Sequence, residues 1–397
     1  MKGKVFMFEQ YVSKRMSLLD TESAFQILAR ARALEAQGRS IIHMEIGQPD
    51  FTTPANIRDA AYKAMNDGFT GYTPTPGLPE ARQAIADYVE KQKGVKSALE
   101  EVIITPGGKP IMYYTMQMLV EEGDEVIYPN PSFPIYESCI KFSGGVPVPV
   151  PLLAENGFGF DVGVLKKSIT SKTKLIIINN PGNPCGGTSS REDILEIAEI
   201  LKSHPGVFVM SDEIYDRIVY DGGVTSIATV PEIKDRVIIL DGFSKTYAMT
   251  GWRLGFGVMH PELVKHIELL MVNSVSCATA FSQRAAIEAL QGPQDKPAEM
   301  REAFKERRDC LVAGLNAIDG ISCVLPKGAF YVFPDVSSYG VSCDEFADRL
   351  LLEAGVAAAA GTAFGKYGEG FIRLSYATSL DNIKIALERI AAFVKTL

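Results

Sequence analysis

From about residue 100 onward, short apolar segments alternate with amphipathic segments, and this alternation constrains the fold more than any other feature of the chain. The apolar segments predicted to be strands are 101–105, 124–128, 146–150, 174–179, 207–211, 236–240 and 254–258. The segments predicted to be helices between them are 109–121, 132–142, 190–203 and 260–272. Strands that alternate with helices build a largely parallel sheet, and consecutive apolar residues are typical of strands covered on both faces. The sequence therefore predicts an α/β fold.

The flanking regions predict a second, smaller domain. Two helices precede the alternation, and the second is expected to begin with Thr53 as its N-cap. A breaker-rich joint, QGPQDKPAEM, follows Leu290; after it we predict a charged helix, strands at 321–324, 329–334 and 371–375, a helix at 343–354 and a last helix from residue 380. A chain of 397 residues exceeds what one hydrophobic core usually supports. We expect a large domain over 48–290 and a smaller α+β domain built from 1–47 and 291–397.

Charge and cysteine spacing limit the kinds of partner. The formal net charge of -8 and the pI near 5.3 argue against nucleic acid or an anionic membrane, because phosphate backbones and acidic lipids attract basic surfaces. No apolar stretch predicts a membrane span or a signal sequence. The six cysteines have neither C-x-x-C nor zinc-like spacing, which favours a reducing, cytoplasmic setting without a metal. We therefore expect a protein that acts on small molecules.

Four of the predicted strands are followed by segments of unusual composition. These segments are PGGKP after 101–105, NNPGNPCGG after 174–179, SDEIYD after 207–211 and SKTYAMTGWR after 236–240. Ligands of open α/β sheets bind at the carboxyl ends of the strands. Because these ends meet at one edge of one sheet, we expect the four segments to form a single site.

Each segment taken alone also has a less specific interpretation. Gly107 and Gly108 either present backbone N–H groups to an anion at a helix start or form a simple tight turn. Asp212 and Tyr215 face the same way if their segment turns helically, and otherwise begin a solvated helix. Lys245 is either a desolvated amine that forms a Schiff base or an exposed loop lysine.

Six motifs in order carry a resemblance to a known family. They are GQPDF, GYTPTPG, PGNPCGG, SDEIYD, SKTYAMTGWRLGF and FIRLSYA. From about Ser17 to its C-terminus the chain resembles the class I aminotransferases of the fold type I pyridoxal-phosphate-dependent superfamily, and is most similar to bacterial aspartate aminotransferases of the gamma subgroup. The resemblance implies the mostly parallel, helix-covered sheet of that fold, pyridoxal 5'-phosphate as cofactor, and ping-pong transfer of an amino group from an L-amino acid to a 2-oxo acid such as 2-oxoglutarate.

The resemblance also implies which residues perform the chemistry. Lys245 is expected to link covalently to the cofactor and, once an amino acid displaces it, to move the substrate α-proton, so that no histidine is required. Asp212 is expected to pair with the pyridine nitrogen and favour its protonated form. Tyr215 and Asn183 are expected to hydrogen-bond the 3-oxygen of the ring.

A further set of residues is expected to anchor the cofactor. The phosphate is expected to meet Gly107, Gly108, Lys109, Ser244 and Arg253. Phe133 occupies the place of an aromatic residue that stacks on the ring, where many relatives carry tryptophan or tyrosine. Tyr72 resembles a tyrosine that reaches the phosphate of the neighbouring subunit, which implies a homodimer with shared active sites.

The substrate is expected to bind through two cations. Arg373 would clasp the α-carboxylate, helped by Gly47 and Asn183, although an arginine in an apolar strand also fits a structural ion pair. Lys109 stands where the gamma subgroup has a lysine thought to meet a distal carboxylate, which favours a dicarboxylic donor such as aspartate. It is otherwise a simple helix-start lysine. Residues 273–286 depart from the subgroup's usual pattern, so alanine, branched-chain and aromatic donors stay open.

Other functions fit the sequence less well. A C–S β-lyase or cyclopropane-type synthase of the same fold would keep Lys245, Asp212 and Arg253 yet eliminate rather than transfer the amino group. The S-x-x-K match at 171–174 opens a predicted strand and lacks the companion motifs of serine hydrolases. No G-x-G-x-x-G follows a strand, which argues against a nicotinamide oxidoreductase.

Overall fold

The computed structural model describes residues 11–19 and 21–397. The helices are α1 (Ser23–Glu35), α2 (Ala55–Asn66), α3 (Pro79–Lys93), α4 (Lys109–Leu119), α5 (Ile135–Phe142), α6 (Val162–Ser168), α7 (Arg191–Lys202), α8 (Pro231–Lys234), α9 (Pro261–Val272), α10 (Ala280–Gln291), α11 (Asp295–Asn316), α12 (Cys343–Arg349) and α13 (Leu380–Phe393). The strands are β1 (Ile42–His43), β2 (Val102–Thr105), β3 (Glu125–Asn130), β4 (Val146–Pro151), β5 (Thr173–Asn179), β6 (Phe208–Asp212), β7 (Val237–Gly242), β8 (Gly255–Val258), β9 (Tyr331–Val332), β10 (Val356–Ala357), β11 (Ala359–Ala360) and β12 (Ile372–Ser375).

The central sheet has seven strands in the order β2-β8-β7-β6-β5-β3-β4. Strands β3 to β7 run parallel, whereas β8 is antiparallel to both of its neighbours. The proline-rich β4 lies at an edge, where missing N–H donors cost no ladder hydrogen bond on the open side. The prediction of a mostly parallel α/β sheet is confirmed.

The position of β5 between two layers of helices explains why its residues are apolar at consecutive positions. Leu175 and Ile177 pack in one cluster with residues of α4, α5 and α9, while Ile176 and Ile178 pack in another with residues of α3, α7 and α10. All four side chains are at most 1% exposed. Helices therefore cover both faces of the sheet, as the apolar runs predict.

A third cluster of buried residues is built mainly from the C-terminal part of the chain. It joins α11, α12, α13 and the small sheets β1-β10 and β11-β12-β9. Residues 215, 218 and 220, which follow β6, also belong to it. The division into domains over 48–290 and over 1–47 with 291–397 stays a prediction, and residues 1–10 and 20 lie outside the described part of the chain.

Two local predictions were wrong, the strand at 321–324 and the Thr53 cap. Segment 321–324 is not a strand, because the Asn316 side chain bonds both backbone groups of Cys323 and leaves only an isolated bridge between Ser322 and Asp335. The predicted helix 343–354 is confirmed in extent, as an α-helix over Cys343–Arg349 that continues as a π-helical turn over Leu350–Ala354. Thr53 does not cap α2, since its hydroxyl donates to the carbonyl oxygen of Ala248.

None of the helices in the described residues is both long and apolar enough to cross a bilayer.

Candidate active site

A cavity of about 580 Å³ opens at the carboxyl ends of the central strands. The carboxyl ends of β2 and β7 lie at the same edge of the sheet, one on each side of the antiparallel β8, since Thr105 and Gly242 both pair with Gly255. The cavity is lined by Glu22, Ala24, Phe25, Ile46, Gly47, Gln48, Gly108, Lys109, Met112, Phe133, Tyr136, Asn179, Asn183, Asp212, Ile214, Tyr215, Leu240, Ser244, Lys245, Thr250, Gly251, Arg253, Tyr331 and Arg373. All the residues predicted for the site except Gly107 and Tyr72 are therefore in its lining.

Lys245 places an amine in the interior of this cavity. Its Nζ donates to the carbonyl oxygen of Gly47 at 2.6 Å and lies 5.7 Å from the ring centroid of Tyr215. Burial, reinforced by the charge of Arg373, lowers the pKa of Lys245 to about 8. Near neutral pH a useful fraction of this amine is therefore uncharged, which is the form that attacks a carbonyl group.

Asp212 ends β6 and places a carboxylate in the same cavity. Burial raises the pKa of Asp212 to about 6, although hydrogen bonds from Tyr136 and from the backbone N–H of Ile214 oppose this rise. The Tyr136 hydroxyl donates to Oδ2 at 2.5 Å and the Ile214 N–H to Oδ1 at 3.2 Å. At neutral pH the carboxylate is mostly ionised and suits a cationic partner.

Tyr215 shares the cavity with Asp212, although the segment between them is not helical. The segment forms a series of turns, in which the backbone N–H of Asp216 donates to the carbonyl oxygen of Glu213 and that of Ile218 donates to the carbonyl oxygen of Tyr215. The Tyr215 and Tyr331 hydroxyls lie 2.8 Å apart. The sequence reasoning missed Tyr331, which lies in the short β9 outside any recognisable motif.

Arg373 on β12 is a buried cation without a salt bridge among the described residues. Its side chain donates to Asn183 Oδ1 at 3.0 Å and to the Glu45 carbonyl oxygen, while its Nε has no hydrogen-bond partner there. The guanidinium carbon lies 4.7 Å from the ring centroids of Tyr331 and Phe364. A buried guanidinium is costly without an anion. The arrangement therefore suits a carboxylate that enters the cavity.

A second group of donors surrounds the start of α4. Arg253, in the left-handed region with φ +51°, donates to the carbonyl oxygens of Thr250 at 2.9 Å and of Pro106 at 3.4 Å. Gly107, with φ +93°, lies so close that a Cβ there would be 2.3 Å from an Arg253 nitrogen. The first N–H groups of a helix lack intrahelical partners and its dipole favours anions. With Ser244 beside them, these groups fit a phosphate.

Lys109 lies near the mouth of the cavity and is already paired. It forms a salt bridge with Glu22, and its Nζ lies 5.3 Å from the ring centroid of Phe133. The Lys109 side chain is 50% exposed and that of Glu22 is 18% exposed. Glu22 was missed because it follows no strand and belongs to no motif. Ala24 and Phe25, next to it in the chain, also line the cavity.

Tyr72 is not brought to this cavity. It is 93% exposed and lies outside the cavity lining. Gly107 lies behind Arg253 rather than in the lining. Arg284, which lies in the 273–286 segment, is on α10 with its guanidinium carbon 4.8 Å from the Phe69 ring centroid and is outside the cavity lining.

The segment from Lys245 to Arg253 is held by Thr53, not by its own hydrogen bonds alone. The Thr53 hydroxyl donates to the carbonyl oxygen of Ala248 at 2.6 Å, and the Trp252 indole N–H donates to Thr53 Oγ1 at 3.0 Å. This use of the hydroxyl explains why Thr53 does not cap α2. It also gives the only tryptophan of the chain a fixed place beside the cavity.

Comparisons with known proteins agree with this geometry. A family profile described as "Aminotransferase class I and II" matches residues 39–390. The chain is 41% identical over 394 residues to the aspartate aminotransferase of Bacillus sp. (strain YM-2), covering 98% of this chain and 100% of that relative. The solved aspartate aminotransferase from Thermus thermophilus with maleate matches with a TM-score of 0.92 at 36% identity, covering 96% of this chain and 99% of that one. An alanine aminotransferase from Pyrococcus furiosus matches with a TM-score of 0.91 at 34% identity, covering 97% and 100%.

Proposed function

The chain belongs to the class I and II aminotransferases, which depend on pyridoxal phosphate, and we propose that it transfers the amino group of aspartate or another dicarboxylic donor to a 2-oxo acid such as 2-oxoglutarate. The observation that carries this proposal is the buried guanidinium of Arg373, which has no salt bridge among the described residues and lines the same cavity as the desolvated amine of Lys245. A guanidinium that can bind a carboxylate and an amine that can accept a proton suit an α-amino acid, whose α-proton lies next to its carboxylate.

The residues of the cavity fit the cofactor. Its lining carries the cations Lys109, Lys245, Arg253 and Arg373 against the carboxylates of Glu22 and Asp212. This excess of positive charge suits a ligand with a doubly charged phosphate together with a carboxylate substrate. When bound, pyridoxal phosphate supplies an aldehyde for covalent attachment and a ring that takes up electrons from the substrate α-carbon.

We infer that Lys245 Nζ makes that attachment and later carries the substrate α-proton. An amine with a pKa lowered to about 8 is neutral often enough to accept this proton and is still basic enough to hold it. Its hydrogen bond to the Gly47 carbonyl at 2.6 Å orients the lone pair when the amine is uncharged. No histidine lies in the cavity lining, so Lys245 is the base best placed there.

Asp212 would hold the ring nitrogen and Tyr215 the 3-oxygen. The ionised Asp212 carboxylate favours a protonated ring nitrogen by opposite charge. Tyr215 shares a hydrogen bond with Tyr331, so its hydroxyl is oriented within the cavity. Asn183 is bonded through Oδ1 to Arg373, which leaves its amide nitrogen to donate to the ring or to the substrate. Phe133 would pack against the ring.

The phosphate would be held by Arg253, by Ser244 and by the first backbone N–H groups of α4 at Gly108 and Lys109. The guanidinium supplies a planar fork of donors, and the N–H groups supply the helix end. Near Arg373, Gly47 leaves room for the Tyr331 hydroxyl, because a Cβ at residue 47 would lie only 2.0 Å from that hydroxyl oxygen. Gly47 thus allows Tyr331 to pack beside Arg373, which would bind the α-carboxylate.

A second candidate function is transfer from neutral donors such as alanine, branched-chain or aromatic amino acids. The supporting observation is that Lys109 is paired with Glu22 rather than free, and that Ala24, Phe25, Met112 and Phe133 make the surrounding lining apolar. A distal carboxylate would have to displace Glu22, whereas an apolar side chain would only need the space.

We also propose a cytoplasmic homodimer. The six cysteines form no disulfide within the described residues, which fits a reducing compartment. Tyr72 is almost fully exposed in the single chain, as expected of a side chain that completes the site of a neighbouring subunit.

A donor panel separates these possibilities. Purified holoenzyme would be given aspartate, glutamate, alanine, leucine and phenylalanine with 2-oxoglutarate (with oxaloacetate as acceptor for glutamate), and the new amino acid would be measured. Highest kcat/KM for aspartate or glutamate supports the dicarboxylic assignment, and highest kcat/KM for a neutral donor replaces it by the second candidate. Release of pyruvate and ammonia from a cysteine conjugate without any 2-oxo acid would indicate a C–S β-lyase instead.

Attachment at Lys245 has its own test. Borohydride should fix a pyridoxyl group on the peptide that contains Lys245, detected by mass spectrometry. Lys245→Ala should lose this label and all amino transfer, while the matched variant Lys234→Ala keeps both, because Lys234 lies in α8 outside the cavity lining.

A further inference from the structure

One lysine amine is buried among three carboxylates next to the turn that follows β6. Lys93 is the last residue of α3, and its side chain is 3% exposed. Its Nζ lies 2.9 Å from Glu213 Oε2 and 3.0 Å from Asp241 Oδ2, and it donates a hydrogen bond to Asp216 Oδ2. The three carboxylate side chains are between 3% and 6% exposed. We call these four residues the Lys93 cluster.

The Lys93 cluster shares a turn with two residues of the candidate active site. Asp212 and Tyr215 line the cavity, whereas Glu213 and Asp216, each the next residue in the chain, bind Lys93 and are absent from the lining. Residues 212–216 therefore have two sets of side chains with different partners. An amine from α3 holds the set that does not reach the cavity.

The carboxylates of the cluster depend on Lys93 to different degrees. Glu213 Oε1 accepts hydrogen bonds from the hydroxyls of Ser211 at 2.8 Å and Ser226 at 2.6 Å, which leaves Oε2 for Lys93. Asp216 Oδ1 has no hydrogen-bond partner among the described residues, and Asp241 Oδ2 has none apart from its ion pair with Lys93 Nζ at 3.0 Å. Lys93 is thus the principal charged partner of a group of carboxylates that has few other donors.

The balance of charge in the cluster follows from this packing. Burial lowers the pKa of Lys93, but the charges of Asp216, Asp241 and Glu213 outweigh this effect and raise it well above its ordinary value. Burial raises the pKa of Asp241 well above its ordinary value, and the charge of Lys93 opposes this rise. Lys93 thus offsets the negative charge of the carboxylates that surround it. The other titratable groups that face the cluster are Tyr88, Arg217 and Tyr247.

Glu213 connects the cluster electrostatically to Asp212. Its negative charge raises the pKa of Asp212 and so opposes ionisation of the carboxylate that lines the cavity. The hydrogen bonds from Tyr136 and Ile214 and the charge of Lys245 act in the opposite direction. A cation 2.9 Å from Glu213 weakens the unfavourable contribution.

We propose that Lys93 is a positioning residue that holds the 212–216 turn so that Asp212 and Tyr215 face the cofactor, and whose charge offsets the negative charge beside Asp212. This inference rests on the proposed function, because it concerns Asp212 as the partner of the cofactor's ring nitrogen. Lys93 is absent from the cavity lining and acts only through the turn.

The test compares cofactor binding in four variants of the full chain. They are Lys93→Met, Lys93→Arg, the charge-balanced double variant Lys93→Met with Glu213→Gln, and the control Lys91→Met, which removes an exposed lysine from the same helix. Titration of each apoprotein with pyridoxal phosphate, followed by quenching of Trp252, gives a dissociation constant at each pH from 6 to 9. Trp252 suits this measurement because it is the only tryptophan and lies between Gly251 and Arg253 of the lining. Circular dichroism checks the fold.

We expect Lys93→Met to raise the dissociation constant at least tenfold at pH 7 and less at pH 9, because the unbalanced cluster favours a protonated Asp212. Lys93→Arg should stay within threefold of the parent at every pH. The double variant should bind less tightly than the parent but with the parent's pH dependence. Lys91→Met should match the parent.

The proposal is overturned if folded Lys93→Met binds with the parent's affinity and pH dependence, or if Lys93→Arg is as weak as Lys93→Met. If Lys93→Met does not fold, the folded double variant decides. Parent affinity in it overturns the proposal, and weaker binding with the parent's pH dependence supports it. Failure of the parent itself to bind pyridoxal phosphate would contradict the proposed function, and only then would both fall together.

Discussion

The hydroxyl of Tyr136 donates a hydrogen bond to Asp212 Oδ2 at 2.5 Å, and both side chains are buried. This bond lowers the pKa of Asp212 against the larger effect of burial, which raises it to about 6. The phenol therefore helps to keep ionised the carboxylate that would pair with the cofactor's ring nitrogen.

Tyr136→Phe should raise the pKa of Asp212 by about 1 to 2 units, the equivalent of one hydrogen bond to a charged group. As the pH is lowered, Asp212 would then lose its charge earlier than in the parent. Cofactor affinity should therefore begin to fall near pH 7 to 8 instead of near pH 6. The measurement is the dissociation constant of pyridoxal phosphate as a function of pH. Tyr113→Phe is the control, because Tyr113 packs on Tyr114 and Phe142 outside the cavity lining. An unchanged profile in Tyr136→Phe would contradict this role.

Arg373→Lys should raise KM for every amino donor roughly thirty-fold, the equivalent of about 2 kcal/mol. Lysine keeps the charge but loses the hydrogen bond to Asn183 and the planar fork that would bind both carboxylate oxygens. Steady-state kinetics with two unlike donors check this, since the α-carboxylate is common to all of them. Arg284→Lys, altered on α10 beside Phe69, should leave KM unchanged. A loss restricted to one donor would argue that Arg373 binds a side chain instead.

Much of the fold and of the site could be predicted because both depend on short segments. The apolar run of β5 indicates a strand covered on both faces, since Leu175 and Ile176 must point to opposite sides. The residues at the carboxyl ends of the strands could be placed at one site without their side-chain partners being known. Lys245 and Asp212 are of this kind, because the parallel strands β6 and β7 bring their ends together.

The parts that could not be predicted depend on contacts between distant segments. Tyr136 lies on α5, Tyr331 on β9 and Glu22 before α1, and no spacing rule connects any of them with Asp212 or Lys109. Thr53 has the sequence of an N-cap, yet its hydroxyl forms a tertiary bond to Ala248. A local pattern states what a side chain is able to do, whereas the tertiary structure decides which partner it meets.

Glu22→Gln should lower KM for aspartate about two- to five-fold, because it removes the carboxylate that competes for Lys109. The effect is modest since Lys109 is half exposed and such pairs are screened by solvent and salt. KM for a neutral donor such as alanine should not change. Lys109→Met should raise KM for aspartate by a similar factor and also leave alanine unchanged. Equal effects on both donors would mean that the pair acts on the cavity generally and not on a distal carboxylate.

Tyr72 leads to a prediction about the assembly. If it completes the phosphate site of a neighbouring subunit, Tyr72→Phe should weaken pyridoxal phosphate binding, with activity falling about ten-fold for the loss of a charged hydrogen bond. Mixing Tyr72→Phe with Lys245→Ala should then restore up to a quarter of parental activity, because one site of each mixed dimer carries both native residues. Sedimentation analysis verifies that mixed dimers form. Additive activities without restoration would show that each site uses only its own chain.

His43 makes stability depend on pH through a buried carboxylate near the site. Its Nδ1 lies 2.8 Å from Glu45 Oε1 and its Nε2 lies 3.2 Å from Glu35 Oε1, while the Glu45 side chain is completely buried and its backbone carbonyl bonds Arg373. Burial lowers the pKa of His43, but the hydrogen bonds and charges of Glu45 and Glu35 outweigh it and raise the pKa above 6.5. The protonated imidazole therefore stabilises the folded state fully below pH 6.5, and this contribution disappears as the pH rises through the raised pKa.

His43→Gln should consequently lower Tm most at pH 5.5 to 6.5 and least at pH 9, since glutamine keeps a hydrogen bond to Glu45 but carries no charge. Thermal unfolding of the apoprotein followed by circular dichroism measures this difference. His266→Gln is the matched control, because it makes the same replacement at a histidine that is exposed on α9. If the Tm difference between the parent and His43→Gln grew with rising pH, His43 would be acting as a neutral packing residue and the charge-based explanation would be wrong.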